Sequence, residues 1–265
     1  MYSLRLTCPA GEVDCISGEL WEAGTLGIHE TDDGGRTVLT ACFETNDLRA
    51  TLLTKFNAYA PDWQFEEAVD WVQETRRSWP ARKIGRRVFL APPWSEDSTP
   101  VGCVRVVHNP GLACGTGEHP CSQLALIALE KNVHESCTVA DIGTGSGILA
   151  ITALRLGAQF AVGLDLDETA LNSAKQNLEL NGITPMLVAG SAQCVAGHWA
   201  DIVVANINAT VLLSIIDDLL RIAKPGGRLI LSGFPETEAA IFIKEFPDAE
   251  VSQMQEWRCL TISAA

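Results

Sequence analysis

From Val139 the chain reads Val139-Ala-Asp141-Ile-Gly143-Thr-Gly145-Ser-Gly147-Ile-Leu-Ala-Ile-Thr-Ala-Leu-Arg-Leu-Gly157. A short apolar strand enters a turn with glycine at every second position, and an apolar-faced helix follows until Gly157 stops it. Glycine tolerates positive φ and, lacking a Cβ, lets a ligand rest on bare backbone. The following helix aims free N–H groups back at the turn. The pattern describes a parallel strand of an open α/β sheet, with a nucleoside-sized cradle at its carboxyl end.

The glycine spacing selects among nucleosides. A dinucleotide site needs G-x-G-x-x-G, with a pyrophosphate on the helix N-terminus. This turn is G-x-G-x-G and is preceded by Asp141. A carboxylate at that mouth repels a pyrophosphate and suits a cationic amino-acid nucleoside. Downstream, Val162-Gly-Leu-Asp165-Leu-Asp167 is a second apolar strand ending in acid, placed to take two ribose hydroxyls. S-adenosyl-L-methionine carries those hydroxyls, a sulfonium cation and no phosphate. It is the expected cofactor, held by Asp141, Gly143, Gly145, Gly147 and Asp165.

Ahead of the turn, the periodicity changes. Tyr2, Leu4 and Leu6 alternate as in a strand, and Val13, Ile16, Leu20 and Trp21 fall at helical spacing. Thr25–Glu30 and Arg36–Phe43 read as a hairpin across Asp32-Asp33-Gly34-Gly35. Asn46 is expected to cap a helix over 47–59, and a strand is expected over 63–69. The order β-α-β-β-α-β predicts a small ferredoxin-like α+β domain over residues 1–69. Residues 70–94 hold three tryptophans and the basic cluster Arg76, Arg77, Arg82, Lys83, Arg86 and Arg87, and read as a linker.

Behind the turn, strands and helices alternate. Asp167 is expected to cap a helix that Asn181-Gly182 ends, and strands follow at Met186–Ala189, Asp201–Asn206 and Arg228–Ser232. Lys224-Pro-Gly-Gly227 reads as a turn, and a closing strand pair is expected near 250–254 and 258–263. Alternation of this kind predicts a doubly wound sheet. The fold class is α/β, a seven-stranded Rossmann-like methyltransferase domain over residues 95–265 preceded by the small domain.

Bulk properties exclude several classes. A net charge of −14 with a pI near 4.7 argues against direct nucleic-acid binding and favours a basic partner. Nine cysteines without a C-x-x-C pair or a secretory h-region predict reduced thiols in a cytoplasmic protein. No apolar run approaches a bilayer span. Cys114, His119 and Cys121 lack the partner set a structural zinc requires, so no metal is expected.

The motifs resemble those of the PrmA-type ribosomal protein methyltransferases, which modify protein L11 of the large subunit. Pro110-Gly-Leu-Ala-Cys114-Gly-Thr-Gly-Glu118-His119-Pro-Cys121-Ser122 is similar to the family's P-G-L-A-F-G-T-G-T-H-P-T-T loop. Asp141 to Ala150, Asp165-Leu-Asp167 and Ala205-Asn206-Ile207 resemble its D-x-G-x-G-S-G-I-L-A, D-I-D and A-N-I segments. Lys224-Pro-Gly-Gly, Leu231-Ser-Gly233 and Glu256-Trp257 agree as well. The resemblance implies that Ser122, Gly143, Asp165 and Asn206 contact the cofactor and that a basic ribosomal protein is the substrate. Departures lie at Cys114, Glu118, Cys121, Ser122 and Asn208, all bordering the cofactor or acceptor site.

The implied reaction is transfer of methyl from sulfonium to the ε-amine of lysine. Asn206 is the candidate catalytic residue, its oxygen or a nearby carbonyl orienting the amine lone pair. An NAD-linked oxidoreductase lacks the required glycine spacing. A serine hydrolase at Ser146 lacks the G-x-S-x-G elbow, since Thr144 replaces its first glycine. A different protein lysine, a small amine, or a non-catalytic ribosome-associated binder are the remaining alternatives.

Overall fold

In the amino-terminal stretch, apolar residues fall on one face of each element, and that face becomes a core. The computed structural model describes residues 1–33, 36–65, 79–109 and 117–264, and the chain falls into two units, Met1–Thr75 and Arg76–Ala265. The first contains β1 (Tyr2–Pro9), α1 (Val13–Glu22), β2 (Gly27–Asp33), β3 (Arg36–Phe43), α2 (Arg49–Lys55) and β4 (Asp62–Phe65). Its strands are antiparallel in the order β2-β3-β1-β4, which is the ferredoxin-like arrangement. Leu4, Leu6, Leu20, Leu39 and Phe56 fill its core.

Two local expectations differ here. Asn46 does not cap α2, which starts at Arg49 behind Leu48; its Oδ1 instead accepts from Trp63 Nε1 at 2.9 Å. The indole of β4 outcompetes the helix for that oxygen. The helix also stops at Lys55 and passes into a 3₁₀ turn, Asn57–Tyr59. Residues 34–35 of the hairpin turn and 66–69 of the expected strand lie outside the described residues.

The second unit begins with β5 (Arg82–Ile84), β6 (Val88–Ala91) and β7 (Val104–Val107), with β5 antiparallel and β7 parallel to β6. This differs from a linker over 70–94. Residues 70–78 lie outside the described residues, but Ile84, Val88 and Leu90 enter the same core as Leu124, Leu129 and Val139. Apolar burial draws that segment into the larger unit.

The main sheet comprises β8 (Thr138–Ile142), β9 (Phe160–Asp165), β10 (Leu187–Ala189), β11 (Ala200–Asn206), β12 (Ala223–Pro235), β13 (Glu250–Met254) and β14 (Trp257–Ser263). Its order is β10-β9-β8-β11-β12-β14-β13, parallel except for β14, which runs antiparallel to β12 and β13. Helices α3 (Pro120–Asn132), α4 (Ile148–Leu156), α5 (Glu168–Leu180), α6 (Ala209–Ile222) and α7 (Glu236–Glu245) complete the alternation. The turn expected at Lys224-Pro-Gly-Gly227 is absorbed into β12, with Gly226 at φ 77° and a register shift against β11 between Ala200 and Ile202. Among the described residues no helix is long and apolar enough to cross a membrane.

Strand alternation positions the site. Val139, Ile202, Val204 and Ile230 belong to one core, while Ala140, Ile142, Val203, Ala205, Leu229 and Leu231 belong to the other. Counting by twos, Asp141, Asn206 and Ser232 share the first face, the side that packs on α3 and α4. Asp165 follows in register, because Asp141 pairs with Gly163 across β8 and β9. All four stand at the carboxyl ends of their strands.

Candidate active site

The glycine turn is held from beneath. Asp141 is fully buried; its Oδ2 accepts from Thr144 Oγ1 at 2.7 Å and from the Ala150 N–H at 3.0 Å, while Oδ1 is buried without a partner among the described residues. Burial, reinforced by the charge of Asp165, raises its pKa from 3.8 to about 6 against the pull of those two hydrogen bonds. This corrects the expectation of a carboxylate at the mouth. Alternation turns Asp141 into the core, where it braces the turn. Thr144, not picked out from sequence, is its main partner.

Gly143, Gly145 and Gly147 all have positive φ, at 71°, 54° and 80°. A Cβ on Gly143 would lie 2.6 Å from Ile207 Cγ2, and one on Gly147 would lie 3.1 Å from Ala174 Cβ. The bare backbone at these two points lets β11's end and α5 close on the turn. Asp165 Oδ2 accepts from the Gly145 N–H at 2.9 Å and its Oδ1 from the Asp167 N–H at 3.1 Å. Each oxygen keeps lone-pair capacity for a hydroxyl. Asp167 caps α5 as expected, accepting from the Thr169 N–H at 2.8 Å.

On the other side of β8, the start of α3 meets the end of β11. Asn206 Nδ2 donates to Ser122 Oγ at 3.2 Å, which joins two residues 84 positions apart. Asn206 Oδ1 is buried with no partner among the described residues. Ser232 Oγ donates to the Cys121 carbonyl at 2.9 Å and fixes α3 against β12. His119 caps α3, with Nδ1 accepting from the Cys121 N–H at 3.4 Å, and its ring meets Trp257 edge-on at 4.4 Å. Glu118 pairs with Arg82. Residues 110–116 of the preceding loop, including Cys114, lie outside the described residues.

These residues fit S-adenosylmethionine. Asp165 offers acceptors for two hydroxyls, the turn offers bare backbone, and Asn206 Oδ1, at the same strand ends, is an acceptor without a partner among the described residues. A pyrophosphate finds the Asp165 carboxylate and no arginine or lysine in this set. A doubly wound sheet of this order with such a turn defines the chain as an S-adenosylmethionine-dependent methyltransferase. Residues 28–265 match the family model described as ribosomal protein L11 methyltransferase (PrmA). The chain belongs to that family.

Relatives agree with the assignment. The ribosomal protein L11 methyltransferase of Dechloromonas aromatica is 39% identical over 78% of this chain and 70% of its own length. That of Shewanella halifaxensis is 33% identical over 97% of both chains. With the Clostridium perfringens SM101 protein, the match is 38% identical and spans 64% of that relative's length. A crystal structure of the ribosomal protein L11 methylase from Lactobacillus delbrueckii subsp. bulgaricus superimposes with a TM-score of 0.64 at 30% identity, over 70% of this chain and 99% of that one.

Proposed function

We propose that the chain is a protein-lysine N-methyltransferase acting in the cytoplasm on ribosomal protein L11, at lysine ε-amines and the N-terminal α-amine. The names of its relatives support the substrate, and the net charge of −14 suits a basic protein. The observation that carries the chemistry is the buried Oδ1 of Asn206 beside Ser122, which has no partner among the described residues. An acceptor there orients an amine by one of its N–H groups and leaves the lone pair directed along the transfer axis.

When bound, S-adenosylmethionine supplies an electrophilic methyl group on sulfur. Asp165 holds the ribose hydroxyls, and the glycine turn carries the rest of the nucleoside on backbone. The attacking amine must be neutral, whereas lysine has a pKa of about 10.4 in water. Burial beside the apolar strand ends disfavours the ammonium form and releases its proton to solvent. Asp141 takes no part in that transfer, since it lies beneath the turn. Alignment of the amine against the methyl supplies much of the acceleration.

Incubation of L11 with the chain and S-adenosylmethionine, followed by intact-mass and peptide analysis, tests this reading. Added methyl groups on lysine are expected. Unmodified L11 in the presence of bound cofactor would identify a binder; methyl on a different protein from a cell extract would identify another substrate.

A further inference from the structure

The edge strand β7 leaves half of its backbone groups facing away from its sheet. Val104 and His108 donate their N–H groups to Arg87 and Ala91 across β6, at 2.6 and 2.9 Å. Alternation therefore turns Val107 and Asn109 outward. Asn177 of α5 and Asn181, the residue that caps its carboxyl end, take the place of a missing strand there. Asn181 Oδ1 accepts from the Val107 N–H at 2.9 Å, and its Nδ2 donates to the Val107 carbonyl at 2.6 Å. Asn177 Oδ1 accepts from the Asn109 N–H at 2.9 Å. The spacing suits this: four helical residues rise about 6 Å, and two strand residues span about 6.6 Å.

Asn177 has a second attachment. Its Nδ2 donates to the Ser146 carbonyl at 3.0 Å, and Ser146 lies between Gly145 and Gly147. One turn earlier on the same helix face, Ala174 packs against Gly147. Asn177 is 1% exposed, an unusual place for a residue that is a poor helix former. Its helix begins at Glu168, three residues after Asp165. One amide thus spans the end of β7 and the floor of the nucleoside cradle.

We propose that Asn177 is a positioning residue for methyl transfer: by bonding Asn109 and Ser146 at once, it fixes the shape of the glycine turn that carries the cofactor. The inference rests on the cofactor reading of the turn and is independent of which amine is methylated. It requires that cofactor affinity follow the chemistry of this amide and not merely the stability of the fold.

The test uses the whole chain and calorimetric titration with S-adenosylhomocysteine. Asn177→Asp keeps an acceptor for Asn109 but sets a second oxygen against the Ser146 carbonyl. At pH 8 its affinity is expected to fall about tenfold to hundredfold below wild type. Lowering the pH far enough to protonate the new carboxyl restores a donor and is expected to bring the variant-to-wild-type ratio back toward one. Asp141, Asp165 and His108 are present in both proteins, and wild type measured at each pH serves as the reference. Asp201→Asn, which weakens the opposite, amino-terminal edge of the sheet, is expected to lower Tm without changing affinity. If the Asn177→Asp chain does not fold, the neutral Asn177→Ser reads the same loss. Affinities within twofold of wild type in either Asn177 variant, with Tm lowered, would overturn the proposal. Failure of the wild-type chain to bind would instead refute the cofactor reading and take this inference with it.

Discussion

Asp141 makes the fold sensitive to pH in a direction opposite to that of most carboxylates. Its folded-state pKa is about 6 against an ordinary 3.8, so the ionised form costs the native state about 3 kcal/mol once the pH is well above 6. The sign follows from proton binding. Between those values the native chain holds the proton more tightly than the unfolded chain, so stability falls as pH rises. About 1.4 kcal/mol of the loss falls between pH 5 and pH 7, and little more follows above that. Asp141→Asn keeps an oxygen for Thr144 and Ala150 but cannot ionise. Urea denaturation of both proteins from pH 5 to pH 8 isolates the effect, because every other group cancels in the difference. The wild type is expected to lose about 1.4 kcal/mol relative to the variant across that range, whatever constant offset the amide introduces. Parallel curves would refute the assignment of a buried, raised carboxyl beneath the turn.

Other outcomes follow from the same geometry. Asp165→Ala removes the acceptors for the ribose and the bond to Gly145, and is expected to weaken S-adenosylhomocysteine binding about a hundredfold by calorimetry. Gly143→Ala combines a φ of 71° with a 2.6 Å approach to Ile207, and is expected to cost about 2–4 kcal/mol in urea denaturation; adding Ile207→Ala should recover the steric share only. Asn206→Ala is expected to lower turnover about a hundredfold in a methyl-transfer assay, far more than it lowers cofactor affinity; equal losses in both would remove its proposed role. At the amino end of β11, burial opposes ionisation of Asp201, but the bonds from Lys224 and Thr138 outweigh it and hold the carboxyl below its ordinary value. That contribution is present at neutral pH and lost as pH falls through the lowered pKa. Lys224→Ala should therefore shift the acid-unfolding midpoint, followed by circular dichroism, to higher pH.

Much of this was legible in the sequence because it depended on local chemistry. Glycine at 143, 145 and 147 tolerates the positive φ values found there, and Asp165 ends its strand as its apolar run predicted. The Asp167 cap and the closing strand pair were equally local. What escaped depended on which way a side chain faces or on a distant competitor. Asp141 looked like part of the mouth, but its bonds from Thr144 and the Ala150 N–H hold it buried beneath the turn. Asn46 looked like a cap, but Trp63 holds its oxygen. The strand from Val88 was legible in its apolar run, but the basic residues around it gave no sign that Ile84, Val88 and Leu90 join the larger core. Asn177 and Asn181 carried a readable signal, two asparagines four apart on the buried stripe with Ala174 and Leu178. Only the pairing with β7 gives that spacing its meaning.

The claim beneath all of this is that the turn at Gly143–Gly147 is shaped for a cationic sulfur nucleoside. Calorimetric titration of the whole chain with S-adenosylmethionine, and separately with NAD, addresses it directly. One equivalent of S-adenosylmethionine should bind and NAD should give no heat of binding. Saturable binding of NAD with none of S-adenosylmethionine would contradict the account.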